Sequence, residues 1–110
     1  MAVKPIEGVV TPHLTPFDNR GEVDVPKLRA LVKFLKERVD VLFSCGSYGL
    51  GPLMRPDQRK LVAETVAEAN GGHKAWLVHI GTMDTETTVA LAKHAESCGA
   101  DGVLLLQPWY

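Results

Sequence analysis

Apolar residues along the chain form short unbroken runs, separated by longer segments in which they recur every three or four positions. The runs are Gly8-Val9-Val10-Thr11, Val39 to Ser44, Ala75 to Ile80 and Val103 to Leu106. Runs of this length that do not alternate with polar residues predict strands covered on both faces, as in a parallel sheet. Between them, Val25, Leu28, Leu31, Val32 and Leu35 have helical spacing. They predict a helix that ends near Arg38, with Asp24 capping its first turn and Pro26 tolerated inside it. A second helix starts at Pro56-Asp57, carries Leu61, Val62, Thr65, Val66 and Ala69, and stops at Asn70-Gly71-Gly72. A third is capped by Asp84 or Thr85, carries Val89, Leu91, Ala92 and Ala95, and closes at Gly99.

The connections are rich in turn formers. Pro12, Pro16, Asp18-Asn19 and Gly21 write a long link after the first strand, and Gly46-Ser47-Tyr48-Gly49-Leu50-Gly51-Pro52 reads as loop throughout. Strand and helix therefore alternate in α/β fashion. Two architectures use such repeats: a doubly wound open sheet and the N-terminal half of a (β/α)8 barrel. Either one places its chemistry beyond the carboxyl ends of the strands. The segments to inspect are Thr11 to Pro16, Cys45 to Pro52, Gly81 to Asp84 and Gln107 to Tyr110.

The size, 110 residues with 45% hydrophobic and 23% charged, suits one domain over 1–110 with no second. A net charge of −1 leaves no basic face for phosphate neutralisation, so nucleic acid is not expected as a partner. No apolar run approaches the length needed to cross a bilayer, and no hydrophobic segment follows Met1 to Pro5. These features predict a cytoplasmic protein that engages no membrane. Cys45 and Cys98 lack metal-ligand spacing and read as reduced, packed thiols.

The consecutive backbone N–H groups of Gly46 to Gly49, with the Ser47 hydroxyl, could cradle a carboxylate or phosphate. A purely structural turn explains the same glycines, and their GxxGxG spacing is not that of a dinucleotide site. His13 follows the first strand at the mouth of the prospective site, where a loop histidine is expected to be solvated. His79 lies mid-strand and reads as a hydrogen-bonded core residue, Trp76 as core, and His73 and His94 as surface. Asp84 is a helix cap before it is an acid.

Cys45-Gly46-Ser47-Tyr48-Gly49, together with Thr11-Pro12, Pro16-Phe17, Gly81-Thr82, the Ala90 to Gly102 run and Pro108-Trp109-Tyr110, resembles the dihydrodipicolinate synthase and N-acetylneuraminate lyase family in order along nearly the whole chain. The resemblance implies a (β/α)8 barrel and a class I aldolase, a lyase in which a lysine forms a Schiff base with pyruvate or another 2-oxo acid, without metal or cofactor. It implies that Ser47 and the amides of Tyr48 and Gly49 hold the substrate carboxylate. Ser47 and Tyr110 would serve a proton relay, with Tyr110 reaching a neighbouring subunit of a dimer or tetramer. Gly49-Leu50-Gly51-Pro52 is similar to the loop of archaeal 2-keto-3-deoxy-sugar-acid aldolases in the same superfamily.

No lysine of this sequence sits at the carboxyl end of a predicted strand. The expectation is therefore an N-terminal fragment of such an enzyme, inactive alone because it lacks the imine-forming amine. The alternatives are a non-enzymatic half-barrel that pairs with itself or a partner, and a flavodoxin-like module using the glycine loop as an anion nest.

Overall fold

In the computed structural model, residues 3–107 are described. They form β1 (Val10–Pro12), α1 (Val25–Leu35), β2 (Val41–Ser44), a 3₁₀ turn over Gly51–Leu53, α2 (Pro56–Asn70), β3 (Ala75–His79), α3 (Thr85–Ser97) and β4 (Gly102–Leu104). The predicted elements are all present. The first strand sits one to two residues later than its apolar run, and the first helix stops at Leu35 rather than Arg38.

Helix boundaries follow from local chemistry. The Asp24 side chain accepts from the Lys27 amide at the start of α1, and Asp84 accepts from the Thr87 amide at the start of α3. α2 ends at Gly71, which adopts φ 57 and donates its N–H to the Ala67 carbonyl.

The strands lie in the order β1-β2-β3-β4 and every pair is parallel. This order separates the two architectures that the sequence leaves open. A doubly wound sheet reverses direction partway and puts helices on both faces. Here each crossover moves the chain on to the next strand in the same direction, and with the right-handed sense that such crossovers take, every helix falls on one face. α2 packs against both α1 and α3, as that arrangement requires.

Alternate strand residues then serve two cores. Leu42, Trp76 and Val78 face the helices and pack with Leu28, Val32, Val62, Val66, Leu91 and Ala95. Val41, Ala75 and Leu77 occupy the opposite face with Phe43 and Leu104. At the amino-terminal end, the Asp101 carboxylate accepts from the Lys4 and Trp76 amides at 2.7 and 2.9 Å, tying the entering chain to β3 and the approach to β4.

Candidate active site at the carboxyl ends of the strands

The loop leaving β2 turns sharply. Cys45 (φ 62) and Leu50 (φ 58) both adopt the left-handed conformation, which costs an L-residue about 1–2 kcal/mol each. The Gly46 carbonyl accepts from the amides of Gly49 and Gly51, both at 3.1 Å, and the Ser47 carbonyl accepts from Leu50 at 3.0 Å. These bonds coil the loop so tightly that a Cβ on Gly51 would lie 1.8 Å from the Cys45 carbonyl oxygen. Glycine at 51 is therefore a steric requirement of the turn.

This coil distinguishes among the amides of the loop. Gly49 is buried and spends its N–H on Gly46, whereas Ser47 and Tyr48 are exposed and their amides have no protein acceptor among the described residues. The exposed donors of the loop without a protein acceptor are thus the amides of Ser47 and Tyr48 and the Ser47 hydroxyl, a set that can receive an anion. The Tyr48 ring itself is 72% exposed and stands clear of the loop. Tyr110 lies outside the described residues.

Behind the loop sits a directed polar chain. Trp76 Nε1 donates to Ser44 Oγ at 2.9 Å, Ser44 Oγ lies 2.7 Å from His13 Nε2, and His13 Nδ1 lies 2.8 Å from the Leu14 carbonyl. A carbonyl can only accept, so Nδ1 carries the proton and Nε2 accepts from the serine. His13 is buried, contrary to the expectation of a solvated loop histidine. Burial holds its pKa below the ordinary value, so it is neutral at pH 7. The residues that bury it come from β2 and β3, far away in sequence.

A pocket of about 380 Å³ opens beside the loop, lined by Ser47, Arg59, His79, Thr82, Thr87 and Gln107 together with Leu53, Met54, Met83 and Leu106. Arg59, on the first turns of α2, crosses the end of β3. Its Nη1 donates to the Gly81 carbonyl at 2.8 Å and its Nη2 to the His79 carbonyl at 2.6 Å. His79 Nδ1 lies 3.1 Å from the Cys45 carbonyl and 3.3 Å from Arg59 Nη2. The Cys45 carbonyl only accepts and the guanidinium only donates, so Nδ1 can bond one of them, and the shorter Cys45 contact assigns it the proton. His79 Nε2 is then an acceptor, and it is buried without a partner. Burial first, and the neighbouring Arg59 charge second, push the His79 pKa down.

Burial raises the Cys45 thiol to about 11 against the opposing influence of Arg59, so it is a neutral packing group. Among the described residues no cluster of three His, Cys, Asp or Glu side chains could hold a metal ion.

Sequence reading passed over Arg59. Its signal was present: Arg59, Val62, Ala63 and Val66 share one helical stripe, so an arginine occupies the first position of a buried face. The lysines gather elsewhere. Lys27 and Lys33 are on α1, Lys60 on α2 and Lys93 on α3, and none lines the pocket.

A parallel sheet in sequential strand order, helices on one face and a glycine loop at the carboxyl end of β2 together define part of a (β/α)8 barrel. The sequence model of the dihydrodipicolinate synthetase family matches residues 5–110, and the chain belongs to that family. It is 37% identical to the N-acetylneuraminate lyase of Citrobacter koseri over 108 residues, which are 97% of this chain and 36% of that protein. The crystal structure of dihydrodipicolinate synthase from Aquifex aeolicus superposes with a TM-score of 0.89 at 30% identity, covering 96% of this chain and 36% of that one. A prophage protein of the dihydrodipicolinic acid synthase family from E. coli, solved in complex with pyruvate, superposes with a TM-score of 0.88 at 31% identity, over 94% and 35% of the respective chains. The chain thus spans about 36% of the length of these relatives.

Proposed function

We propose that this chain supplies the carboxylate-binding part of a class I lyase that forms or cleaves a carbon–carbon bond next to a 2-oxo acid such as pyruvate. The observation that carries this reading is the Cys45–Gly51 coil, which presents two free amides and a serine hydroxyl at the catalytic end of a barrel-type sheet. Amide and hydroxyl donors fixed in place bind a carboxylate without reorganising, and they leave the 2-oxo carbon free for attack. Attack requires an unprotonated amine in a partly desolvated pocket. In this reading a lysine on a further strand of the closed barrel supplies it, because the lysines of this chain lie on helices or at the amino-terminal end.

Ser47 then has two tasks. Its amide and hydroxyl hold the carboxylate, and its hydroxyl exchanges a proton with Tyr110 during imine formation. We place the complete enzyme in the cytoplasm as a homo-oligomer, with Tyr110 contributed across a subunit interface. Among the described residues no helix is long and apolar enough to cross a membrane.

The test is a chimera in which residues 5–110 replace their counterpart in the Citrobacter koseri N-acetylneuraminate lyase. Incubation with pyruvate and borohydride is expected to add a reduced pyruvyl group to one lysine of the acceptor segment, and Ser47→Ala is expected to reduce that trapping. A folded chimera that is not trapped refutes the proposal.

A further inference from the structure

Arg59 is a buried cation with no buried counter-ion among the described residues. It is 4% exposed, and its hydrogen-bond acceptors are two backbone carbonyls, with the Cys45 thiol beside it remaining neutral. Other arginines are treated differently. Arg20, Arg29 and Arg55 pair with Asp18, Glu68 and Glu22, and Arg38 covers the exposed Phe34 ring.

Two polar atoms beside the pocket are also unpaired. Arg59 Nε has no acceptor and His79 Nε2 has no donor, and both are buried. A guanidinium has five N–H groups, so the bonds to Gly81 and His79 leave donors over. Among the described residues the acidic side chain on the pocket wall is Asp84, and it is occupied in capping α3 through the Thr87 amide at 2.7 Å. A charge buried in this way calls for a partner of opposite sign, because desolvation without compensation is costly.

We propose that this pocket binds a small oxyanion, a carboxylate or a phosphate, with Arg59 as its counter-charge and Ser47 at its rim. An anion here would meet the spare guanidinium donors, and a hydroxyl carried by the same ligand would donate to His79 Nε2. The ligand class that matches Arg59 and His79 together is therefore a hydroxylated organic acid or its phosphate ester. The site goes beyond the carboxylate cradle of Ser47 and Tyr48. It requires no imine chemistry and is testable on the 110-residue chain itself.

The arginine Nε–H and the imidazole nitrogens give resolvable signals in ¹⁵N-correlated NMR spectra, so Arg59 and His79 can be watched directly. The chain is titrated separately with inorganic phosphate, pyruvate and glycerate at constant ionic strength, with chloride as the reference anion. The expected result is a saturable shift of the Arg59 Nε–H signal absent with chloride. Response to phosphate identifies a phosphate subsite, response to pyruvate or glycerate a carboxylate subsite, and an added shift of His79 Nε2 with glycerate supports the hydroxyl contact.

Arg59→Gln is expected to weaken the responding anion about 10- to 100-fold, the loss of one charged hydrogen-bonding partner, and Arg59→Lys to weaken it less. Should the glutamine variant not fold, the wild-type Arg59 signal decides alone. An Arg59 signal that follows no anion, or a His79 response of equal affinity in a folded Arg59→Gln chain, overturns the proposal. Tyr48→Pro, which removes a loop amide that does not line the pocket, separates the two readings: it weakens the pyruvate shift at the Ser47 amide and leaves the Arg59 response to phosphate.

Discussion

Lowering the pH from 7.5 towards 5.5 should destabilise this fold well before its carboxylates titrate. His13 and His79 are both buried, and burial holds both pKa values below the usual 6.5. Above pH 6.5 each is neutral in the folded and unfolded chains, so their preference for the neutral form costs nothing. Below it the unfolded chain takes up protons that the folded chain refuses, and stability falls until the folded pKa values are reached. One proton contributes about 1.4 kcal/mol per pH unit, so two give a limiting slope of about 2.7 kcal/mol per unit. With a urea m-value of about 1–3 kcal/mol/M, the unfolding midpoint should move by roughly 1 M or more for each unit below pH 6. The lowered carboxylates of Asp18, Asp57 and Asp84 act only below their unfolded value of 3.8, outside this window. Equilibrium urea curves followed by tryptophan fluorescence supply the measurement, and His13→Asn should remove about half of the slope. A midpoint that stays constant between pH 6.5 and 5.5 would refute the argument that the two imidazoles are kept neutral by the fold.

Three further outcomes follow from the same geometry. Gly51→Ala should unfold the loop or the domain, because its Cβ would meet the Cys45 carbonyl at 1.8 Å; loss of Ser47 and Tyr48 amide dispersion in NMR spectra is the readout. Leu50→Gly should be neutral or stabilising by up to about 1 kcal/mol, since residue 50 is 43% exposed at φ 58 and glycine carries no penalty there; thermal denaturation checks it. Ser44→Ala should cost about 2–4 kcal/mol by leaving Trp76 Nε1 and His13 Nε2 buried without partners, measured by urea unfolding.

The elements were legible because their signals are local. Asp24 and Asp84 cap the helices that follow them, Gly71 ends α2, and the unbroken runs at Val41 and Ala75 mark strands buried on both sides. What was not legible depends on residues far apart in sequence. The choice between barrel and doubly wound sheet required the strand order, which no single repeat contains. His13 looks like a loop residue until Ser44 and Trp76 are brought against it from the two neighbouring strands. Within the candidate site, the GSYG segment stood out by its glycines, yet which of its amides remain free depends on the coil that Gly49 and Gly51 form on Gly46. Arg59 belongs to the pocket through carbonyls at the end of β3, contacts that helical periodicity does not display.

The most direct test of the account is a pyruvate titration of the uniformly ¹⁵N-labelled chain, following the backbone amides of the β2–α2 loop. Saturable shifts are expected at Ser47 and Tyr48, none of comparable size at Gly49, whose N–H is held by Gly46, and loss of the effect in Ser47→Ala. Absence of any saturable shift at Ser47 and Tyr48, or shifts unchanged by Ser47→Ala, would contradict it.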